Sequence, residues 1–89
     1  MLENDEEAIA KANELQGENA FGGPYITAKE VEPNPLGQKV WVLGRENAML
    51  GGATDYITSD GIRFGIPVRT NNAPTIMVDR YNEAKARQG

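Results

Sequence analysis

Residues 55–68 read DYITSDGIRFGIPV, and this stretch decides the fold. Two runs of strand-forming residues flank Asp60 and Gly61, the pair that a two-residue type I′ hairpin turn prefers. A turn at these two residues pairs Ile57 with Phe64, and because side chains alternate between the faces of a strand, one face becomes apolar. We expect this face to contribute to the core, and its members are Ile57, Ile62, Phe64, Ile66 and Val68.

The opposite face of this hairpin is expected to be polar and in contact with water. In this register Tyr56 lies across from Gly65, and an aromatic side chain opposite a strand glycine covers exposed backbone. Pro67 cannot donate a hydrogen bond to a neighbouring strand, so the second strand lies at an edge or ends there. The members of this face are Tyr56, Thr58, Arg63, Gly65, Pro67 and Arg69.

Residues 4–16 are predicted to form an N-terminal helix. Asn4 is a suitable N-cap, three acids follow it, and Glu7 occupies the capping-box position. Gly17 is a natural residue for the end of the helix. The apolar stripe of this helix is narrow, so the helix must pack either on its own sheet or on a partner chain.

Two further strands are predicted before the hairpin. Residues 25–31 form the first, with Tyr25 and Ala28 on opposite faces. Residues 40–43 are a short continuous apolar run, which is typical of a strand covered on both faces and central in the sheet. Residues 45–50 are expected to be a loop with one helical turn.

The C-terminal segment carries two conflicting signals. Residues 75–78 favour a strand by propensity, whereas Met77 and Tyr81 lie at helical spacing. We predict a strand at 75–78 and a helix at about 79–87, with Asp79 as its N-cap and basic residues at its C-terminal end.

These elements predict one small α+β domain over residues 1–89. An antiparallel sheet of about four strands occupies about 25–78 and contains the hairpin at 55–68. A short helix at about 4–16 precedes the sheet, and a short helix at about 79–87 follows it. A chain of 89 residues can bury only one modest core.

Composition argues against familiar catalytic and cofactor chemistry. The chain contains neither cysteine nor histidine, which excludes thiolate and imidazole zinc sites and the usual nucleophile–base pairs. Its glycine clusters lack the spacing of a phosphate-binding loop. Composition still permits a catalytic pair of carboxylates, Asp55 with Asp60 or Asp79. A hairpin turn explains Asp60, however, and a helix cap explains Asp79. We therefore expect no enzyme activity, no metal, no cofactor and no small-molecule ligand.

Charge is unevenly distributed along the chain. The net charge is −4, with −6 over residues 1–32 and +2 over the remainder. Opposite charges of this kind can attract within a molecule or between copies. No apolar run has the length of a membrane span, and the acidic N-terminus is the wrong sign for a signal peptide. We expect a cytoplasmic protein or one within an intracellular assembly, not secreted by a recognisable signal.

The leading functional hypothesis is a non-catalytic structural or protein–protein interaction module. Such a module would be a small accessory component of a larger assembly, for example a virion or multiprotein complex, and would contact a protein partner or itself. Aromatic residues and arginine dominate interface hot spots. The candidate contact residues are Phe21, Trp41, Tyr56 and Arg63. For Trp41 the alternative is core packing with its indole N–H satisfied, and for Phe21 it is anchoring of its own loop.

Nucleic-acid binding is the main alternative hypothesis. A face of arginines with Tyr56 or Trp41 could bind a single strand by charge and base stacking. The sequence pI of about 4.7 is far below that of a dedicated nucleic-acid binder, so this function is not favoured. The arginines of this nucleic-acid hypothesis are Arg45, Arg63, Arg69, Arg80 and Arg87.

A third hypothesis is an acidic inhibitor that mimics nucleic acid through its N-terminal helix.

Overall fold

The fold is a four-stranded antiparallel sheet with one helix on each face. The structure, a computed structural model, describes residues 1–17, 23–45, 53–67 and 74–88. The strands are arranged in chain order across the sheet. The elements are α1 (Asp5–Gln16), β1 (Tyr25–Glu30), β2 (Val40–Arg45), β3 (Ala53–Thr58), β4 (Arg63–Pro67) and α2 (Pro74–Gln88). The predicted α+β class with two terminal helices is confirmed.

Helix α1 begins and ends where the sequence predicts. The side chain of Asn4 accepts a hydrogen bond of 2.9 Å from the backbone N–H of Glu7. Gly17 follows the helix with φ of +80°, a conformation that residues with a Cβ rarely adopt. Ala8 and Ala12 are fully buried, so the small apolar stripe of the helix packs on the sheet of its own chain.

The two helices bury two separate clusters on opposite faces of the sheet. Val40 and Trp41 are neighbours in β2 and point to opposite faces, yet both are buried, which confirms the prediction that this strand is covered on both sides. We call the two faces the α1 face and the α2 face. The α1 face holds Ala8, Ala12, Tyr25, Trp41, Leu43 and Ile57. The α2 face holds Val40, Ile62, Phe64, Ile66, Tyr81 and Ala84.

The hairpin turns at the predicted place but in a different register. Its loop has three residues, 59–61, because the backbone N–H of Thr58 donates to the carbonyl of Ile62 at 3.1 Å. Gly61 has φ of +84°, and the Thr58 hydroxyl accepts the N–H of Ile62 at 3.2 Å. A glycine with positive φ at the last loop position is the usual form of a three-residue hairpin.

The extra loop residue moves one arm of the hairpin to the other face. Ile57 lies opposite Arg63 and Tyr56 lies opposite Phe64, so the predicted pairs Ile57–Phe64 and Tyr56–Gly65 are wrong. A shift of one residue reverses every side chain of a strand. Ile57 therefore belongs to the α1 face, whereas Phe64 belongs to the α2 face.

Strand β1 departs from simple alternation near its start. The register with β2 shifts between Tyr25 and Thr27, which indicates a β-bulge. A bulge adds a residue and lets two positions that would otherwise alternate share a face. Tyr25 consequently lies in the α1 cluster with Ala28 packed against it, so the prediction that these two residues lie on opposite faces is wrong.

Helix α2 corrects the C-terminal prediction. It is continuous over Pro74–Gln88, so neither the strand at 75–78 nor the N-cap at Asp79 exists. The predicted extension of the sheet to about residue 78 is therefore wrong, and the last strand in the described residues is β4, which runs to Pro67. As a helix this segment places Met77 beside Tyr81 in the α2 cluster. Burial of the apolar stripe outweighs the strand propensity of residues 75–78, and proline is well tolerated in a first helical turn.

Several predictions lie outside the described residues. These concern Phe21, the helical turn at 46–50, and Val68 and Arg69 at the end of the hairpin; Arg45 itself is the last residue of β2. Neither described helix combines the length and apolar character needed to cross a membrane.

Candidate functional site

Four polar side chains, one from each strand, meet on the α1 face. Tyr25 pairs with Arg45 in the β1–β2 ladder, and Asp55 and Arg63 are on the same face of β3 and β4. The bulge in β1 brings Tyr25 to this face, and the three-residue hairpin loop brings Arg63 to it. We call Tyr25, Arg45, Asp55 and Arg63 the polar row.

The Tyr25 hydroxyl is at the centre of the polar row. It donates to Asp55 Oδ2 at 2.5 Å and accepts from Arg45 Nη2 at 2.8 Å and from Arg63 Nη1 at 3.3 Å. Arg45 also forms an ion pair of 3.0 Å with Asp55 and lies 4.3 Å from the centre of the Tyr25 ring. These contacts connect all four strands through one hydroxyl group.

The electrostatics of the row leave one guanidinium without a matching anion. Burial raises the pKa of Tyr25, and the hydrogen bond to Asp55 raises it further, so the phenol stays neutral. Burial alone would lower the pKa of Arg45, but its contacts with Asp55 and Tyr25 outweigh burial and raise it. The negative charge of Asp55 is therefore balanced by Arg45, and the positive charge of Arg63 is not balanced within the polar row.

A groove beside β4 presents this remaining charge. Its volume is about 370 Å³, and Leu15 of α1, which is 37% exposed, forms part of its wall. Arg63 and Arg87 form no ion pair with any residue in the described part of the chain. We call this the basic groove. Its lining is Leu15, Arg63, Phe64, Gly65, Arg87 and Gln88.

The outer edge of β4 is partly occupied by a side chain. The backbone N–H of Arg63 donates to Gln88 Oε1 at 3.2 Å, and Gln88 Nε2 donates to the Arg63 carbonyl at 2.6 Å. The side-chain amide thus imitates a neighbouring strand. Alternation along β4 directs the backbone groups of Gly65 outward as well, and no described residue hydrogen-bonds to them.

A second groove lies at the opposite edge, also on the α1 face. It has a volume of about 550 Å³ and is bordered by the start of α1 and the end of β1. A hydrogen bond with the side chain of Glu32 raises the pKa of Glu30, and loss of solvent and the negative charge of Glu32 raise it further. We call this the acidic groove. Its lining is Glu3, Asn4, Asp5, Glu6, Glu30 and Trp41.

The predicted contact residues do not form one surface. Trp41 is 1% exposed and its Nε1 donates to Asp5 at 2.9 Å, which matches the alternative of core packing with a satisfied indole. Tyr56 is half-buried and stacks on Phe64 with ring centres 5.4 Å apart, on the face opposite Arg63. Of the described candidates, Arg63 lines the basic groove, and Trp41 lines the acidic groove from its buried position.

A separate polar cluster surrounds the hairpin loop. Asp60 accepts hydrogen bonds from the hydroxyls of Thr58 and Tyr81, and its backbone N–H donates to Gln38 at 3.1 Å. Burial alone would raise the pKa of Asp60, but these hydrogen bonds and the nearby charge of Lys85 outweigh it, so the pKa lies below its ordinary value. The cluster fixes α2 to the hairpin, which is a structural role.

Comparison with protein-family models, curated proteins and solved structures finds no match to this chain. Within the ranges that the structure describes, no group of acidic side chains has the arrangement of a metal site. Sequence reasoning missed the polar row and both grooves. The available signal was the set of arginines at 45, 63 and 87, but only the correct hairpin register places Arg63 on the face that Arg45 shares with Tyr25.

Proposed function

We propose that this chain is a non-catalytic structural subunit that associates with other polypeptides through the edges of its sheet. The observation that carries the proposal is the pairing of open strand edges with charged grooves. At one edge β4 offers backbone groups of Gly65 that no described residue pairs, beside two arginines that have no ion-pair partner among the described residues. Backbone groups at a sheet edge are a template for another polypeptide strand.

The composition of the basic groove favours a protein over a nucleic acid as the partner. Single-stranded nucleic acids bind where arginines are accompanied by exposed aromatic rings on which bases stack. In the described residues, Trp41 is buried and Tyr56 is stacked on Phe64 at the other face. The groove instead adds an exposed leucine and a strand edge, which suit a polypeptide.

Site-specific crosslinking from the groove tests this proposal. A photo-crosslinking amino acid in place of Leu15 is expected to form adducts with a polypeptide in cells that naturally produce the chain. The same substitution at Thr75, which is exposed on α2 away from the groove, serves as the control. Mass spectrometry identifies the partner in each adduct as another protein or as a second copy of the chain.

The proposal fails if the Leu15 position gives no more polypeptide adducts than Thr75 and the purified chain is monomeric in sedimentation velocity. A crosslink to nucleic acid at Leu15 would also contradict it. In that case a mobility shift of a single-stranded oligonucleotide at low salt, lost in Arg63→Glu, would identify the alternative function.

A further inference from the structure

The outer edge of β1 is open in the same way as that of β4. The backbone N–H of Val31 donates to the carbonyl of Val40 at 2.8 Å, so by alternation the backbone groups of Ala28 and Glu30 point away from β2. No described residue hydrogen-bonds to these outward groups. Within the part of the chain that the structure describes, both edges of the sheet are therefore open.

The topology makes these two edges compatible with each other. Four antiparallel strands in chain order leave β1 and β4 running in opposite directions at the two sides of the sheet. If a second copy is placed beside the first without being turned over, its β1 lies antiparallel to β4 of the first. The α1 faces of both copies then lie on the same side, so the sheet can continue from one copy to the next.

We infer that β4 binds β1 of a second copy of this chain, with Glu30 of one copy opposite Arg63 of the other, and that the copies assemble head to tail. This inference rests on the proposed function and names its partner. The register follows from matching the outward residues in antiparallel order, which also sets Ala28 opposite Gly65. Both Glu30 and Arg63 are on the α1 face, so their side chains meet across the new strand pair.

Charge supports this arrangement over the two symmetric ones. Pairing β4 with β4 would bring the basic groove, with Arg63 and Arg87, against itself, and pairing β1 with β1 would do the same to the acidic groove. Head-to-tail pairing brings the acidic groove of one copy beside the basic groove of the next. Opposite charges across an interface favour the correct partner, and like charges disfavour the wrong ones.

The helices are compatible with the same arrangement. Helix α1 packs mainly against β1 and α2 packs against β4, on opposite faces. On each face, the helix covers the sheet near one edge and leaves it uncovered near the other. In the head-to-tail arrangement, this uncovered half lies next to the helix of the neighbouring copy. The exposed side chain of Leu15 borders the space that the neighbouring α1 would approach.

Association requires one rearrangement, the release of Gln88 from the backbone of Arg63. The incoming strand offers the same two hydrogen bonds through Glu30 and a further pair through Ala28, which Gln88 does not provide. Gln88 thus competes with the second copy for the edge. Its removal should strengthen association, whereas reversal of either charge should weaken it.

Charge reversal followed by sedimentation velocity tests the inference. We expect the wild-type chain to associate with increasing concentration, and Glu30→Arg and Arg63→Glu each to raise the dissociation constant at least about tenfold, which corresponds to about 1.4 kcal/mol. Glu14→Arg makes the same charge change on an exposed part of α1 and should leave association unchanged. Circular dichroism establishes that each variant is folded.

Mixing the two charge-reversed variants gives the decisive comparison. Each variant alone has like charges at every head-to-tail contact, but in the mixture Arg63 of the Glu30→Arg chain can bind Glu30 of the Arg63→Glu chain. Association is expected to return in the mixture, and Gln88→Ala should associate more strongly than wild type. If Arg63→Glu does not fold, two comparisons of association still test the inference. One compares Glu30→Arg with Glu14→Arg, and the other compares wild type with Gln88→Ala.

Three results would overturn the inference. The first is a wild-type chain that remains monomeric up to about 1 mM, a concentration at which even weak contacts form. The second is an equal loss of association in Glu14→Arg and Glu30→Arg. The third is no recovery of association in the mixture of folded variants. If the chain is monomeric but the Leu15 position still crosslinks to another protein, the proposed function stands and only the identity of the partner changes.

Discussion

The Tyr25 hydroxyl links β1 to three other strands through Asp55, Arg45 and Arg63. Tyr25→Phe removes these contacts and leaves buried polar groups unpaired, so we expect it to lower the free energy of unfolding by about 1 to 3 kcal/mol. Tyr56→Phe is the matched control, because the Tyr56 hydroxyl forms no hydrogen bond with a described residue. Urea denaturation measures both. Equal effects of the two substitutions would contradict the role assigned to the polar row.

Asp60 makes the stability of the fold depend on pH. Its pKa is lower in the folded chain than in the unfolded chain, so the unfolded state binds more protons between the two values. The stabilisation is therefore complete above the unfolded pKa of about 4 and is lost as the pH falls through the folded pKa. Urea denaturation from neutral to acidic pH should give a larger loss of stability for the wild type than for Asp60→Asn. Parallel curves would contradict this assignment.

At the scale of the elements, helix α1 is fixed to β1 by a side-chain amide. Asn13 accepts from the backbone N–H of Tyr25 at 2.8 Å and donates to the carbonyl of Tyr25 at 3.1 Å. Gln88 makes the same pair of contacts with Arg63 on β4. Each helix therefore contributes one amide to the backbone of an edge strand, and only the amide on β4 lies where the second copy is proposed to bind.

Asn13→Ala is expected to destabilise the chain by about 1 to 2 kcal/mol, because two backbone groups of Tyr25 lose their partners. Asn82→Ala is the control, since Asn82 is exposed on α2 and makes no hydrogen bond with a described side chain. Thermal or urea unfolding followed by circular dichroism distinguishes them. A loss in Asn82→Ala as large as that in Asn13→Ala would show that the amide contact is not the cause.

At the scale of the whole molecule, the arrangement of helices and charges on the sheet gives it two different edges. An interface between unlike surfaces does not close on itself unless a rotation closes a ring, so head-to-tail assembly produces either a ring or an extended chain. Screening by salt should weaken this assembly, because exposed charges flank the contact. The net charge of −4 alone does not reveal this, since the acidic and basic grooves lie at opposite edges.

The sequence predicts the elements of this fold better than it predicts their faces. Asn4 and Gly17 mark the ends of α1 through local capping, and residues 40–43 are recognisable as a central strand from their continuous apolar character. The face of Arg63 depends on a single residue in the hairpin loop. Asp60 and Gly61 indicate a turn but do not distinguish a loop of two residues from one of three, because glycine with positive φ suits both.

The C-terminal helix could not be derived from local propensity for a similar reason. Residues 75–78 favour a strand, and only burial of Met77 and Tyr81 against the α2 face selects the helix. The polar row was equally hidden, since Tyr25 reaches it through a bulge and Arg63 through the hairpin register. Tertiary contacts decided each of these cases.

Amide hydrogen exchange of Gly65 and Ala28, measured by NMR at low and high protein concentration, tests the central claim most directly. The outward amides of both edges should exchange quickly at low concentration and at least about tenfold more slowly when copies associate, as expected for amides that gain a hydrogen bond. The amide of Phe64, which points toward β3, is the internal reference and should be slow throughout. Exchange at Gly65 and Ala28 that does not change while the chain associates would contradict the proposed assembly through these two edges.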